Sequence, residues 1–149
     1  MDEFTCKEIA MAFKEIAPEE LMLNPFMKIG KEWMLITAGA DAEHCNTMSC
    51  GAMGVMWGKN VVSVYIRPQR YTKEFVDAQE RFTCAFFGEG NQHEALSLLG
   101  KVSGRDVPDK ISQAGLTPVE VGGSVAFEEA ELVFVCRKLY ARELPPEDF

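Results

Sequence analysis

The sequence has no apolar run long enough to span a membrane. Its longest uncharged apolar stretches, at 48–57 and 132–136, are far shorter than the ~20 residues that a transmembrane helix needs. Charged residues are scattered through positions 1–17, so this region does not resemble the apolar core of a signal peptide. From these absences we expect a cytoplasmic protein that does not associate with membranes.

Positive charge is also scarce. Lys and Arg together number 15 against 23 Asp and Glu, which leaves a net charge of -8 at pH 7. A field of this sign repels the phosphates of nucleic acids, so we expect no general nucleic-acid partner. A smaller anion that binds this chain must therefore be held by a local cluster of donors.

Metal-binding and dinucleotide-binding patterns are missing. The two histidines, His44 and His93, have no second ligand at metal spacing, and the five cysteines contain no CxxC pair. We therefore expect no metal site and reduced thiols, with Cys84 and Cys136 as core residues inside apolar runs. No GxGxxG follows a predicted strand, which argues against a Rossmann nucleotide site.

Short β-prone segments, with helices between them, make up the rest of the 149 residues. The patterns predict strands at 33–38, 61–67, 81–87, 117–121, 125–128 and 132–141, and a glycine-spaced apolar segment at 48–57. They predict helices at 4–16, 72–79, 92–99 and 106–114. This irregular alternation favours one mainly β domain over residues 1–149, an antiparallel barrel with helical insertions.

The segment IRPQRYT at 66–72 is the strongest candidate for a binding site. It supplies two guanidiniums, Arg67 and Arg70, just before a helix that we expect Thr72 to cap. A helix N-terminus offers an anion free backbone amides and partial positive charge. An arginine side chain can donate two parallel hydrogen bonds to a phosphate. The alternative is that both arginines pair with surface carboxylates while Thr72 only caps its helix.

Two other segments are weaker candidates. The turn CNTMSCGAMG at 45–54 could present backbone donors and small hydroxyls to a flat heteroaromatic ring, or could be an ordinary turn before a strand. In KVSGRDVPDK, Ser103, Gly104 and Arg105 precede a helix start expected at Asp106, from which Lys110 could reach a ligand. A solvated, charged helix start explains the second segment equally well.

Taken in order, NTMSCG, WGKNVVSVYIRPQRYT, RFTCAFF, SGRDVPDKISQAGLTPVEV and FEEAELVFVCRKLYARELPPEDF resemble the flavin reductase-like, flavoredoxin-like family of FMN-binding split-barrel proteins. The resemblance runs from about residue 24 onward, and IRPQRYT followed by SGRDV is its most specific part. It implies an antiparallel split β-barrel of Greek-key type, forming a homodimer with FMN near the subunit interface.

The resemblance also implies a set of cofactor contacts. The isoalloxazine ring would contact Asn46, Thr47, Met48, Ser49 and Cys50. The phosphate would contact Arg67, Arg70, Tyr71 and Thr72, with Ser103, Arg105 and Lys110 completing the pocket. No catalytic side chain is expected, because the redox chemistry of such proteins belongs to the flavin.

The function implied is an oxidoreductase that passes electrons between NAD(P)H, or a redox partner protein, and the flavin. The alternatives are a non-catalytic flavin-binding or electron-carrier module, and a homologue that has lost its ligand. Two departures motivate them. NTMSCGAMG lacks the early tryptophan of the NTMTASWGG usual in relatives, and the sequence stops at Phe149 where relatives continue into another strand.

Overall fold

The computed structural model describes residues 13–49, 52–88 and 92–148. Within these ranges the chain forms short strands with helices between them, as the sequence predicts. The strands are β1 (Leu35–Gly39), β2 (Cys45–Ser49), β3 (Ala52–Met56), β4 (Lys59–Ser63), β5 (Arg81–Phe86), β6 (Pro118–Val121), β7 (Ser124–Phe127) and β8 (Leu132–Arg137).

The helices are short and lie between the strands. They are α1 (Pro25–Met27), α2 (Tyr71–Ala78), α3 (His93–Lys101) and α4 (Lys110–Gln113), and α1 continues into a π-helical turn at Lys28–Glu32. Single 3₁₀ turns occur at Pro18–Glu20 and Pro146–Asp148. No helix in the described part of the chain is both long and apolar enough to cross a bilayer.

The strands form one four-stranded sheet, in the order β2-β1-β5-β8, and two separate hairpins, β3–β4 and β6–β7. Every strand pair within the described ranges is antiparallel. The mainly β, antiparallel architecture expected from the sequence is therefore confirmed.

Strand β1 lies at the centre of the core and is buried on both faces. Because successive strand residues point to opposite faces, Leu35 packs with Leu96 and Leu99 of α3, whereas Ile36 packs with Val76 of α2. The two helices therefore cover opposite faces of the sheet. This arrangement fixes the start of α2 and the end of α3 relative to β2.

Three of the predicted elements are shorter than expected, two of them near prolines. The strand expected at 61–67 ends at Ser63, and residues 64–67 lead irregularly to Pro68, which lacks the N–H needed for a sheet ladder. The helix expected at 106–114 covers only Lys110–Gln113. Before it the chain makes a turn in which the Asp106 and Val107 amides both donate to the Ser103 carbonyl, at 3.1 and 3.0 Å.

The predicted helix at 4–16 is mostly outside the described residues, and its described part, 13–16, is not helical. Ala17 is extended, with φ −71° and ψ 141°, which is the conformation that a following proline favours. Pro18 therefore separates this segment from the next turn. The strand expected at 132–141 also ends early, at Arg137.

Candidate functional site

A cleft of about 200 Å³ opens between β2, the start of α2 and the loop that follows α3. Its walls come from segments distant in sequence, brought together because α2 and α3 pack on opposite faces of β1. The lining residues are Asn46, Met48, Arg67, Gln69, Arg70, Tyr71, Thr72, Leu99, Lys101, Val102, Ser103, Gly104 and Lys110.

The charge of this cleft is opposite to that of the protein. Its charged lining residues are Arg67, Arg70, Lys101 and Lys110, and no carboxylate of the described residues lines it. The chain as a whole carries a net charge of -8. The cleft is therefore a local cluster of cations of the kind that an acidic protein needs in order to hold an anion.

The two arginines of the predicted phosphate motif both line the cleft. Arg70 is half-buried, and its Nη1 donates to the Gly100 carbonyl at 2.8 Å across the cleft. Arg67 is exposed. Within the described residues neither guanidinium pairs with a carboxylate, so the alternative in which both arginines serve as surface ion pairs does not describe this structure.

The start of α2 lies at the rim of the cleft, but Thr72 does not cap it. Arg70 is the N-cap and no side chain caps the helix. Thr72 is the second residue of the helix and is almost fully buried. Its Oγ1 accepts a hydrogen bond of 2.6 Å from Asn46 Nδ2. The Tyr71 and Thr72 amides belong to the first turn, where no intrahelical acceptor exists, so they are available to a ligand.

Lys110 projects into the wall of the cleft instead of into solvent. Only 3% of it is exposed. Its Nζ donates to the carbonyls of Thr47, Leu99 and Val102 at 3.1, 3.1 and 2.9 Å. Burial, and secondarily the nearby charge of Arg70, lower the pKa of Lys110 from 10.5 to about 8.

Arg105 contacts two lining residues, Gln69 and Tyr71, without lining the cleft itself. Its guanidinium lies 4.8 Å from the centre of the Tyr71 ring, donates to the Gln69 carbonyl at 3.1 Å and pairs with the Glu74 carboxylate. Ser103 lines the cleft, and its Oγ accepts from the Arg105 amide at 3.2 Å. Arg105 thus links the loop after α3 to α2.

The predicted ring-binding residues on β2 divide into two groups. Asn46 and Met48 line the cleft, whereas the Thr47 hydroxyl lies in the core and donates to the Ile36 carbonyl at 3.0 Å. Ser49 does not line the cleft and packs beside Gly100. Cys50 lies outside the described residues.

Several lining residues were not anticipated from the sequence as contacts. They are Gln69, Leu99, Lys101, Val102 and Gly104. Gly104 has a clear physical role, because a Cβ there would lie 2.6 Å from Asn46 Oδ1 and 3.1 Å from Tyr71 Cδ1. A glycine between Ser103 and Arg105 was the available signal for this close approach.

The architecture is similar to that of solved FMN-related proteins. A flavoredoxin of Desulfovibrio vulgaris (Miyazaki F) has a TM-score of 0.65 and 18% identity over 88% of this chain and 69% of its own. An FMN-binding domain of a flavin reductases-like enzyme from Shewanella baltica OS155 has a TM-score of 0.63 and 15% identity, over 76% of this chain and 60% of its own. A putative flavin reductase with a split barrel domain from Shewanella frigidimarina NCIMB 400 has a TM-score of 0.64 and 15% identity, over 97% of this chain and 72% of its own.

These likenesses define the class of fold. The chain has the split β-barrel architecture of FMN-binding proteins, and it spans 60, 69 and 72% of the lengths of these three structures. Comparison of the sequence with protein-family models gave no match, and comparison with curated proteins gave none either. The resemblance to flavin reductase-like proteins and flavoredoxins is thus one of structure at low sequence identity.

Proposed function

We propose that the cleft binds the phosphate of FMN and that the protein is an FMN-dependent redox protein. The observation that carries the proposal is the cleft's charge: as far as the structure describes the chain, its lining has four cations and no carboxylate, within a chain of net charge -8. The fold supports the same ligand, because its structural neighbours include FMN-binding proteins.

The donors in the cleft fit a phosphate dianion. Arg67 and Arg70 offer charge-assisted bonds, and the Tyr71 and Thr72 amides offer the positive end of α2. The volume of about 200 Å³ is below the roughly 300–1,000 Å³ of pockets that enclose a complete ligand. We therefore assign the cleft to the phosphate and ribityl chain, with the flavin ring lying outward along β2 beside Asn46 and Met48.

Bound FMN would supply the redox chemistry, and the protein would position it. Arg70 and the start of α2 would orient the phosphate, and β2 would support the ring. We propose NAD(P)H or a redox partner protein as the source of electrons. Oxidation of NADH that continues over many turnovers would support a reductase, whereas one equivalent oxidised per bound FMN would support a carrier.

We also propose that the chain forms a homodimer. The tip of the β3–β4 hairpin exposes Val55, Met56 and Trp57, at 72, 47 and 92% of their surface. An apolar cluster of this kind is costly to leave in water and is typical of an interface. Light scattering should give twice the chain mass of 16.6 kDa, and Trp57→Ser should shift the mass toward the monomer. A monomeric parent protein would reject the dimer.

Binding of FMN and riboflavin to the purified protein tests the central proposal. Both flavins carry the same ring, so the difference between them isolates the phosphate. We expect FMN to bind at least tenfold more tightly in a fluorescence-quenching titration, the equivalent of about 1.4 kcal/mol. No uptake of FMN, or equal affinity for the two flavins, would reject the phosphate site, and no uptake at all would favour a homologue that has lost its ligand.

A further inference from the structure

We propose that Lys110 is a positioning residue that assembles the cleft and lends it charge without touching the ligand. The inference rests on the proposed phosphate site and adds to it a residue that acts through the protein backbone. It replaces the simpler expectation, drawn from the sequence, that Lys110 reaches the ligand directly.

The ammonium of Lys110 has no hydrogen left for a ligand. An ammonium has three donors, and here they go to the carbonyls of Thr47, Leu99 and Val102, at 3.1, 3.1 and 2.9 Å. With 3% of the residue exposed, a phosphate would have to displace one of these bonds to reach Nζ. Its effect on an anion is therefore electrostatic and geometric.

All three carbonyls belong to segments that form the cleft. Thr47 lies between the lining residues Asn46 and Met48, while Leu99 and Val102 line the cleft themselves. One buried ammonium thus joins β2 to the end of α3 and sets the distance between the two walls. No other side chain in the described structure donates to all three of these carbonyls.

The carbonyls also explain why a cation is needed there. Helix α3 ends at Lys101, so its C-terminal carbonyls, which carry partial negative charge, face the same cleft. Left bare, they would repel a phosphate. Lys110 covers the Leu99 and Val102 carbonyls, and Arg70 covers that of Gly100. Two cations thus neutralise the partial negative charge at the C-terminal end of α3, which lies beside the proposed anion site.

This arrangement makes the cleft sensitive to pH just above neutrality. Burial and the charge of Arg70 lower the pKa of Lys110 to about 8, so raising the pH to 9 removes its charge and one of its donors. Four other ionisable residues line the cleft with it, Arg67, Arg70, Tyr71 and Lys101, and Asp109 precedes it in sequence. The Asp109 carboxylate accepts from Gln113 Nε2 at 3.0 and 3.1 Å.

The test is the ratio of FMN to riboflavin affinity, measured at pH 7 and pH 9 for the parent protein, Lys110→Met and Lys138→Met. Lys138 is a matched control, since its Nζ also donates to backbone carbonyls, those of Val76 and Asp77 at 2.9 and 3.0 Å, at the far end of α2. The ratio is the informative readout, because a general loss of structure would weaken both flavins alike.

We expect the parent ratio to fall several-fold between pH 7 and pH 9, and Lys138→Met to behave like the parent. Lys110→Met should show a low ratio, reduced roughly tenfold at pH 7, with little further change at pH 9. If Lys110→Met does not fold, the change of the parent's affinity ratio with pH still tests the role of Lys110. A parent ratio that stays constant from pH 7 to 9, or parent-like selectivity in Lys110→Met, would overturn the role of Lys110. A parent with no preference for FMN at pH 7 would instead overturn the phosphate site itself.

Discussion

Replacing Arg70 with alanine tests the phosphate site at the residue with the best-defined geometry. Arg70 is the N-cap of α2 and reaches across the cleft, with its Nη1 2.8 Å from the Gly100 carbonyl. Only this one bond to Gly100 is made by the guanidinium within the described residues, so its remaining N–H groups can meet a phosphate. Arg70→Ala removes those contacts and leaves the amides of α2 in place.

The magnitude follows from the type of bond lost. A hydrogen bond to a charged group contributes about 1.5–3 kcal/mol, which corresponds to a roughly 10- to 150-fold rise in the Kd for FMN. Losing the bond to Gly100, which the same charged group makes, should lower the free energy of unfolding by at most about 1.5–3 kcal/mol. Riboflavin affinity should change little, because riboflavin has no phosphate.

Arg81→Ala is the matched control for this variant. Arg81 also donates from Nη1 to a glycine carbonyl, that of Gly122 at 3.3 Å, and it does not line the cleft. Fluorescence-quenching titrations should separate the two variants by at least tenfold in the Kd for FMN. Equal FMN affinity in Arg70→Ala and Arg81→Ala would remove Arg70 from the site and refute the reasoning from the cleft's charge.

Three further predictions concern the packing, pH response and salt response of the site. Gly104→Ala should weaken FMN binding and lower the unfolding midpoint in urea, because the added Cβ would lie 2.6 Å from Asn46 Oδ1. Gly54→Ala is the control: its Cβ would have no atom within 4 Å, so FMN binding should be unchanged. The unfolding free energy should rise from pH 8 toward 10.5, since burial lowers the pKa of native Lys110 from its ordinary 10.5 to about 8 and the unfolded chain binds more protons in this range. Urea denaturation of the parent and of Lys110→Met checks this, and an equal rise in both would reject it. FMN affinity should fall as salt is raised from 50 to 500 mM, more steeply than riboflavin affinity; equal slopes would contradict an ionic site.

The sequence predicted the parts of the fold that depend on local periodicity. The apolar, β-branched segments became β1, β5, β6 and β7 within one or two residues of the expected bounds. The strand expected at 132–141 ends early, at Arg137, and two other errors lie near prolines. Pro68 follows a segment that leaves the sheet after Ser63, and Pro108 lies in the turn that delays α4 to Lys110.

The sequence predicted cationic residues that lie near the site, but not how their side chains are arranged or what they contact. Arg67 and Arg70 were identified from their spacing before a helix, and both line the cleft. Nothing local in the sequence shows that Arg105 pairs with Glu74, or that Lys110 meets carbonyls 63 and 11 residues away in sequence. Such contacts depend on how α2 and α3 pack on β1, which is tertiary information.

That packing also explains why the proposed phosphate site contains cations that bind the protein's own carbonyls. With Leu35 facing α3 and Ile36 facing α2, the N-terminus of α2 and the C-terminus of α3 meet at the same end of the sheet. One helix end favours an anion and the other disfavours it. Arg70 and Lys110 resolve the conflict by donating to the α3 carbonyls. Part of their charge is therefore used by the protein itself, and the field that remains for a ligand depends on Lys110 staying protonated.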